Sequence, residues 1–334
     1  MPRSISYSLL ITSLGLLVAV LLFLSLGIGT VWINPLNLLG PASGNEAEAY
    51  NLILSEIRLP RAILGVLFGG ILGLSGAVLQ GLLRNPLAEP GIVGVSASAS
   101  LGAVIAIYSG LTALSVFMLP LLSLLGALIA VGLLFLLAGK QSDILTLILS
   151  GVAITTFAGA MTSLILNMSP NPFAAVEIIF WMMGSLSDRS LDHVWLSAPF
   201  IIIGAVLLFA TARALDALSL GYDVAGSLGV HLGRTQILAI IGTAMGVGAA
   251  TAVTGAIGFV GLVVPHLLRP LVGNRPSLLL PVSMLGGSAF LLAADILVRV
   301  ILPGKDLKLG VVTAIIGTPF FLWLLIKVRR RAGA

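Results

Sequence analysis

The chain contains no cysteine, and only 9% of its 334 residues are charged. Without cysteine there can be no disulfide framework, no thiolate nucleophile and no thiolate metal site. A soluble domain carries roughly 25% charged residues, whereas 58% of this chain is hydrophobic. The composition therefore predicts an integral membrane protein. The 39 glycines fit this class, because small residues let helices pack closely in lipid.

Sequence motifs for catalysis and nucleotide binding are also missing. There is no Gly-x-x-x-x-Gly-Lys-Ser/Thr phosphate loop, no His-Glu-x-x-His pair and no Gly-x-Ser-x-Gly nucleophile motif. The three histidines, His193, His231 and His266, do not have metal-ligand spacing. A permease for a bare soft metal ion should show clustered His, Asp or Cys. We therefore expect no ATP, catalytic or metal site in this chain, and any transported metal should travel inside a chelate.

Long apolar runs dominate what is present. A spanning helix needs about 20 apolar residues, and ten runs approach that length: 8–28, 61–83, 92–109, 114–138, 143–167, 193–212, 235–254, 256–272, 277–300 and 309–327. The first run is long for a signal peptide and has no obvious cleavage site after it, so we interpret it as a spanning helix. The sequence predicts an all-α integral membrane protein with about ten transmembrane helices in one polytopic domain, residues 1–334.

The short loops carry charge asymmetrically. With the N-terminus placed in the cytoplasm, eleven Lys and Arg residues fall on the cytoplasmic side and six on the other, whereas eight of the twelve acids fall outside. The positive-inside rule therefore predicts that both termini are cytoplasmic. The net charge of +5 reflects this asymmetry, so we expect the basic residues to face lipid headgroups and not a nucleic acid.

A weak internal repeat relates the two halves of the chain. Ser75-Gly76-Ala77 matches Thr254-Gly255-Ala256 at an offset of 179, and Pro120 and Gly126 match Pro281 and Gly287 at an offset of 161. Helices two to five then resemble helices seven to ten with inverted topology, a pattern typical of transporters. Chance similarity of Gly-rich helices is the alternative. Strict inversion places Pro86 and Pro265 on opposite sides of the membrane, whereas Arg269 and Arg275 favour a cytoplasmic position for the second block. The position of the eighth helix is therefore the least certain part of the predicted topology.

The segment 58–94 combines a crossing helix with an irregular end. Residues 62–83 are apolar and uncharged, and two prolines and two glycines lie within 85–94. A continuous helix is excluded there. Non-helical backbone beside a span survives only where protein covers it or where it lines an aqueous path. We therefore expect residues 85–94 to form a non-helical element near an aqueous pathway.

Three blocks of residues resemble one membrane-protein family. They are Arg58-Leu-Pro-Arg61 with Ser75-Gly-Ala77 and Asn85-Pro-Leu-Ala-Glu-Pro-Gly91, then Gly255-Ala-Ile-Gly-Phe-Val-Gly-Leu-Val-Val-Pro-His266, and Leu309-Gly-Val-Val-Thr-Ala-Ile-Ile-Gly317. In this order they resemble the permeases of ABC importers for iron-siderophores, haem and cobalamin. The resemblance implies a permease homodimer in the inner (plasma) membrane, two ATPase subunits that bind ATP and Mg²⁺, and a periplasmic substrate-binding protein. It implies no cofactor in this chain and a metal chelate as cargo.

Arg58 and Arg61 begin the second helix on the predicted external side. Arginines at helix ends often extend to the membrane interface, but two guanidiniums beside a proline also suit bidentate recognition of carboxylates. The resemblance implies that these two residues and Arg299 bind glutamates on the binding protein. Asp306-Leu-Lys308 departs from the family's Glu-Leu-Pro and adds external positive charge.

Asp295 and Arg299 are four residues apart on the ninth helix and can pair. A lone acid in a span suggests function, but a proton relay would need further acids at similar depth. We interpret the two residues as a structural pair near the external end.

Residues 213–234 form the longest polar-interrupted stretch on the predicted cytoplasmic side. Asp223-Val-Ala225-x-x-x-Gly229 resembles the coupling loop of ABC importer permeases, in which short helices rest in a cleft of the ATPase. Leu215, Leu218 and Leu220 lie outside the membrane and suggest burial against a partner. Glycines can form the turn between two short helices. The predicted coupling residues are Leu218, Gly221, Asp223, Ala225 and Gly229.

The resemblance also implies two gates and a pathway at the dimer axis, lined by the fifth and tenth helices. The cytoplasmic gate would contain Asn85, Leu87, Ser142 and Asp143, and the periplasmic gate Ser169 and Asn171. Met161 and Met168 would offer a soft wall, with flexible packing as the alternative. Residues 173–181 are predicted to form a short interfacial helix.

Two other functional classes fit part of the sequence. An ion-coupled secondary transporter would also show this hydropathy and inverted repeat. An intramembrane enzyme would need paired acids or a Ser–His spacing, and neither is evident. The cargo is not specified, because no charged lining residue stands out. An apolar, Gly-rich path implies weak cargo contact and selectivity set by the binding protein.

Overall fold

The computed structural model describes residues 6–29, 31–36, 45–115, 117–139, 144–169, 171–301 and 307–332, and within these ranges every regular element is helical. The α-helices are α1 (Tyr7–Gly27), α2 (Asn45–Leu52), α3 (Leu59–Leu82), α4 (Val95–Tyr108), α5 (Met118–Ala138), α6 (Ile144–Asn167), α7 (Pro172–Met182), α8 (Leu191–Ala210), α9 (Ala212–Leu218), α10 (Tyr222–Ser227), α11 (Leu232–Thr254), α12 (Val260–Leu268), α13 (Pro276–Ile301) and α14 (Leu309–Ala332). A π-helical turn, Ile53–Arg58, joins α2 to α3, and 3-10 turns lie at Pro90–Val93, Leu111–Ala113 and Arg269–Val272.

Eight of the described helical segments are long and apolar enough to cross a membrane. They confirm the predicted multi-pass fold but not a count of ten full spans. The predicted third and eighth spans are the short segments Val95–Tyr108 and Val260–Val272. Neither reaches the roughly 20 residues that a straight crossing needs.

The centre of the protein is built around α3 and α11. In their most apolar windows, 83% and 78% of the residues are buried, against 28% for α6 and for α14. Glycine permits this packing: a Cβ on Gly69 would lie 2.3 Å from the carbonyl oxygen of Gly287, so α3 and α13 touch backbone to backbone. The four outer helices α1, α5, α6 and α14 leave most of their surface uncovered.

The helices have two common ends. At the end that we call the arginine end, α1 and α13 finish and α3 begins, because Arg58 and Arg299 both contact the last carbonyls of α1. At the opposite end, the loop end, α9 packs on α3 and α13, and the Tyr7 hydroxyl donates to the carbonyl of Leu278. The chain therefore begins α1 at the loop end.

Two half-length helices start inside the protein. After α3 ends at Leu82, the chain turns back, so that Gly261 packs against both Pro90 and the carbonyl of Leu72. Leu72 lies ten residues, or about 15 Å of helix, before the end of α3. The re-entrant segment 85–94 thus leads to α4 from within the bundle. Likewise, residues 255–259 lead from the end of α11 to the start of α12 at the same depth.

This arrangement removes the conflict noted for the eighth run. Since α12 starts inside the protein and runs to the loop end, Arg269 and Arg275 lie beyond its buried part, at the predicted cytoplasmic end. Arg275 contacts Asp216 of α9 there. The predicted start at residue 256 is wrong, because 255–259 are not helical. Gly255 and Phe259, which both have positive φ (+68° for Phe259), interrupt the helix between α11 and α12.

The helix contacts agree with the predicted inverted repeat. In the repeat, α3, α4, α5 and α6 match α11, α12, α13 and α14 in that order. The contact of α3 with α13 then corresponds to the contact of α11 with α5, and the contact of α3 with α12 corresponds to that of α11 with α4. The residue match at an offset of 179 is wrong, however. Ser75 lies in the middle of α3, whereas Thr254 is the last residue of α11. The small residues recur because each site needs a close approach, not because the two sites are equivalent.

Candidate functional site

The three predicted docking arginines lie together at the arginine end. Arg58 donates hydrogen bonds to the carbonyl oxygens of Leu26, Gly27 and Val31, the last at 2.6 Å. The last carbonyls of a helix have no partner within it, and a cation beside them is favoured by the helix dipole. Arg58 therefore caps α1, which explains why its side chain is buried.

Arg299 completes this cap and joins it to a buried acid. It donates to the carbonyl oxygens of Ser25 and Ile28 at 2.7 and 2.8 Å. It also pairs with Asp295 at 2.8 Å, which confirms the predicted i,i+4 pair. Arg61 binds the same carboxylate through two nitrogens, at 2.9 and 2.7 Å.

Asp295 thus links three helices, although only 1% of its side chain is exposed. A buried carboxylate held by two guanidiniums is satisfied, whereas loss of one partner leaves an uncompensated charge. With Arg58, the cluster holds three positive charges and one negative charge. We call Arg58, Arg61, Asp295 and Arg299 the arginine cluster. Its guanidiniums are engaged inside the chain, and of these contacts the sequence predicted only the Arg299–Asp295 pair.

The predicted coupling segment forms two short helices, as expected. Gly221, with φ +121°, makes the turn between α9 and α10. Leu215 and Leu218 are buried in the chain's own core, so the inference that they need a partner's cover is wrong. Ala225 is buried too. The free apolar surface belongs instead to Leu220, Val224 and Leu228, which lie at the loop end.

Polar contacts fix these short helices to the bundle. The Asp216 carboxylate accepts from the backbone N–H of Ser277 at 2.8 Å and from Arg275 at 3.2 Å. It thereby caps the N-terminus of α13 from α9. The Arg84 guanidinium lies 5.6 Å from the centre of the Tyr222 ring, and Tyr222 donates to the carbonyl of Leu82. The start of α10 is thus joined to the residue before Asn85.

The predicted cytoplasmic gate is described only in part. The Asn85 side chain accepts from the backbone N–H of Leu87 at 2.9 Å, which stabilises the turn after α3. Asn85 is exposed and Leu87 half-buried at the loop end. Ser142 and Asp143 lie outside the described residues.

At the other end, the predicted periplasmic gate residues precede the short helix α7. Asn171 is the N-cap of α7 and accepts from the N–H of Phe173 at 2.9 Å. Ser169 donates to the carbonyl of Asn171 at 3.1 Å. The short helix predicted at 173–181 is confirmed. Met161, on α6, is half-buried, and Met168, which follows the end of α6, is exposed.

Gln80 completes the hydrogen bonding of α12. Pro265 has no N–H, so the carbonyl of Gly261, four residues earlier, lacks its helical donor. The Gln80 amide donates to the carbonyls of Gly261 and Leu262 at 3.1 and 3.3 Å, and Arg269 donates to the Gln80 oxygen at 2.7 Å. Sequence motifs gave no signal for this long-range contact.

A cavity of about 490 Å³ lies where the two half-helices begin. Its walls come from α4, α6, Met182 and residues 256–261, with Glu89 of the re-entrant segment. Glu89 lines this cavity and was not among the lining residues predicted from the sequence. The signal was an acid within the irregular segment 85–94 between two apolar helices. Met182 and Ala256 also line a second cavity with α14, so α6 and α14 border the same side of the protein.

Comparisons with known proteins agree with this architecture. The chain is 42% identical over 287 residues to the cobalamin import system permease protein BtuC of Halobacterium salinarum, covering 85% of this chain and 76% of that one. It is 39% identical over 277 residues to the Fe(3+) dicitrate transport system permease protein FecD of Escherichia coli, covering 83% and 86%.

A solved structure described as an inward-facing conformation of a metal-chelate type ABC transporter matches 95% of this chain and 98% of its own, at 31% identity and a TM-score of 0.85. A family model matches residues 17–327. The protein is a multi-pass membrane permease and belongs to the FecCD transport family.

Proposed function

We propose that this chain is the membrane-spanning permease subunit of an ABC importer that takes up a metal chelate. The observation that carries the proposal is the pair of short helices α9 and α10 at the loop end. They are fixed to α3 and α13 through Asp216 and Tyr222, yet they leave Leu220, Val224 and Leu228 uncovered. A rigidly held apolar surface outside the membrane suits a partner protein.

The partner at the loop end would be the ATPase. Two ATPase subunits would bind ATP and Mg²⁺ and receive the α9–α10 segments of two permease chains, while this chain would need no cofactor. The contact with the ATPase would include the exposed, polar Asp223 and the turn residues Gly221 and Gly229. The buried Leu218 and Ala225 would hold the segment in place. The loop end, with both chain termini, would then be cytoplasmic.

Two copies of the chain would enclose the pathway between their α6 and α14 helices. Support comes from the low burial of both helices, 28% in each case, and from the two cavities that they border on one side. The inward-facing relative supports alternating access as the mechanism. Asn85 and Leu87 with Ser142 and Asp143 would close the cytoplasmic mouth, Ser169 and Asn171 would lie at the periplasmic mouth, and Met161 and Met168 would face the path.

The arginine end would be periplasmic and would receive the binding protein. The arginine cluster carries a net positive charge, and such a charge attracts acidic groups at a distance. Because Arg58, Arg61 and Arg299 are held by internal partners, we expect this surface to act through its field more than through new bidentate pairs. Association should therefore weaken as salt is raised.

The relatives name different cargoes, cobalamin in one and iron dicitrate in the other, at almost equal identity. We therefore propose only the class of the cargo, a metal chelate, with a ferric siderophore or haem foremost and cobalamin as an alternative. The binding protein would determine which chelate is taken up. Sequencing the genes beside this one, above all a binding protein, would narrow the cargo.

Crosslinking tests the proposal directly, because the chain has no native cysteine. Single cysteines at Leu220 and Ser227 should crosslink to the ATPase efficiently, and cysteines at Lys140 or Arg330 should do so rarely. Crosslinks from Leu220 to a periplasmic protein would invert the topology and refute the assignment.

An ion-coupled secondary transporter is the second candidate. Glu89 at the meeting point of two broken helices favours it, since such sites hold coupling ions in secondary transporters. Uptake that survives deletion of the ATPase but is abolished by an uncoupler would support this candidate and oppose the first.

A further inference from the structure

The cavity between α4, α6 and residues 256–261 has a polar wall inside an otherwise apolar bundle. Its polar side chains are Glu89, Ser96, Ser100, Thr155, Thr162 and Ser163. We call this cavity the Glu89 pouch. Its volume of about 490 Å³ falls in the range of small-molecule sites, about 300–1,000 Å³. The pouch lies about halfway along α3, beside Leu72.

Three hydroxyl groups that line the pouch, those of Ser96, Ser100 and Thr162, have no side-chain hydrogen bond among the residues that the structure describes; the last two belong to buried residues. Ser100 and Thr162 are 6% and 5% exposed, and neither makes a side-chain hydrogen bond to any residue that the structure describes. Their neighbours behave differently, because Thr155 and Ser163 donate to carbonyls in their own helix. The Ser100 and Thr162 hydroxyl oxygens are not among the fully enclosed atoms without a partner, so they are open to water or a ligand inside the pouch.

Glu89 is the acidic residue of the pouch. Its carboxyl group lies near the backbone N–H of Phe259, the N-cap of α12. A carboxylate offers about four acceptor positions, so one backbone N–H leaves acceptor capacity for the cavity that Glu89 lines. No Lys or Arg occurs among the lining residues. The pouch is therefore an acceptor-rich site that combines one carboxyl group with hydroxyls from α4 and α6.

We propose that the Glu89 pouch binds a positively charged group of the cargo, such as an ammonium arm of a chelate, as the cargo passes through the membrane. This inference rests on the proposed function as an importer and deepens it. It assigns the pathway wall a preference for cations, whereas the sequence suggested an uncharged wall. Because α6 borders both the pouch and the proposed dimer axis, cargo on the axis could reach Glu89 from the side.

Charged thiol reagents test the pouch without knowledge of the cargo. The assembled importer is prepared with Ser100→Cys or Thr162→Cys, and each cysteine is treated with trimethylammonium-ethyl and with sulfonato-ethyl methanethiosulfonate. The cationic reagent should react faster after correction for its intrinsic rate. In the Glu89→Gln background, the ratio of cationic to anionic rates should fall by about tenfold, because one nearby charge has been removed. Glu89→Asp should retain the higher ratio.

Controls separate a local charge effect from general disturbance. A cysteine at Ser6, an exposed residue before α1 at the loop end, should show the same ratio with Glu89 and with Gln. A cysteine at Phe157 lies on α6 but lines a different, apolar cavity, and it should react poorly with both reagents. A ratio at Thr162→Cys that is unchanged by Glu89→Gln would overturn the proposal, as would inertness of both pouch cysteines in every nucleotide state.

A second measurement needs no change at Glu89. Tetramethylammonium should slow modification of Thr162→Cys by neutral methyl methanethiosulfonate, whereas ethanesulfonate should not. Equal effects of the two ions would refute cation binding. If Leu220 crosslinks to the ATPase while these tests fail, the importer assignment stands and only the pouch is refuted. If the crosslinks fail, the importer assignment is refuted, whatever the pouch does.

Discussion

Replacing Arg58 by Met separates a structural role of this arginine from a docking role. Methionine keeps an unbranched side chain but removes two hydrogen bonds to the last carbonyls of α1 and one to the carbonyl of Val31 beyond it. If docking were the sole role, the isolated permease would be as stable as before. If Arg58 caps α1, the loss should appear without any binding protein.

The expected loss follows from the contacts. Hydrogen bonds to charged groups contribute about 1.5–3 kcal/mol each, but the bonds of one side chain are not additive, and water can reach part of a helix end. We expect a loss of about 3 kcal/mol. For a chain of this size, the midpoint of thermal unfolding should fall by about 5 °C or more. Arg58→Lys should recover little, because a single ammonium cannot reproduce the planar fork.

Thermal unfolding of the detergent-purified permease measures this effect, at a fixed scan rate because unfolding of such proteins is often irreversible. The matched control is Arg213→Met, an exposed arginine on α9, for which a change within about 0.5 kcal/mol is expected. An unchanged midpoint for Arg58→Met, combined with weaker association of the binding protein, would refute the capping argument and leave docking as the function.

Two further predictions concern α12 and the coupling segment. Gln80→Leu leaves the carbonyl of Gly261 without a donor and should lower stability by about 1–3 kcal/mol, measured by the same unfolding assay; an unchanged midpoint would show that this contact is not needed. Tyr222→Leu and Arg84→Ala should each reduce transport per ATP hydrolysed in proteoliposomes, and the double variant should be no worse than the stronger single variant. Arg213→Ala should have no effect, and additive losses would mean that Tyr222 and Arg84 act independently.

Hydropathy predicted most of the spans because a bilayer demands long apolar helices, as in α1, α5, α6 and α14. It could not distinguish α4 and α12 from full spans, since their apolar runs continue into irregular segments of the same composition. Only packing decides this, through the contact of Pro90 with Gly261. The weak repeat was recognisable for whole helices, but its register was obscured by small residues that recur wherever two backbones meet.

For the site residues too, the sequence predicted some features and only the packing of the helices decided the others. The resemblance named Arg58, Arg61 and Arg299 together, and the fold does bring them to one place. The spacing of Asp295 and Arg299 predicted their pair, but the contact of Arg61 with Asp295 and the contacts of Arg58 and Arg299 with α1 depend on long-range geometry, which a pattern in sequence does not contain. Leu215 and Leu218 were assigned to a partner because they follow a span, but α9 folds back on the bundle and buries them.

Most of the polar groups described above compensate for a break in the helices. Arg58 and Arg299 bind the end of α1, Asp216 binds the start of α13, and Gln80 binds the carbonyl that Pro265 leaves without a donor. In a chain with 9% charged residues, such compensation is the least costly use of a charge, because backbone groups must be satisfied inside a membrane protein.

Ser100 and Thr162 do not fit this rule. They are buried in the same interior but serve no broken backbone, and they share a cavity with Glu89. A polar group that the fold does not use for its own stability is available to a ligand. This contrast, more than the presence of a charge, distinguishes the Glu89 pouch, which we propose as a contact for cargo, from the arginine cluster.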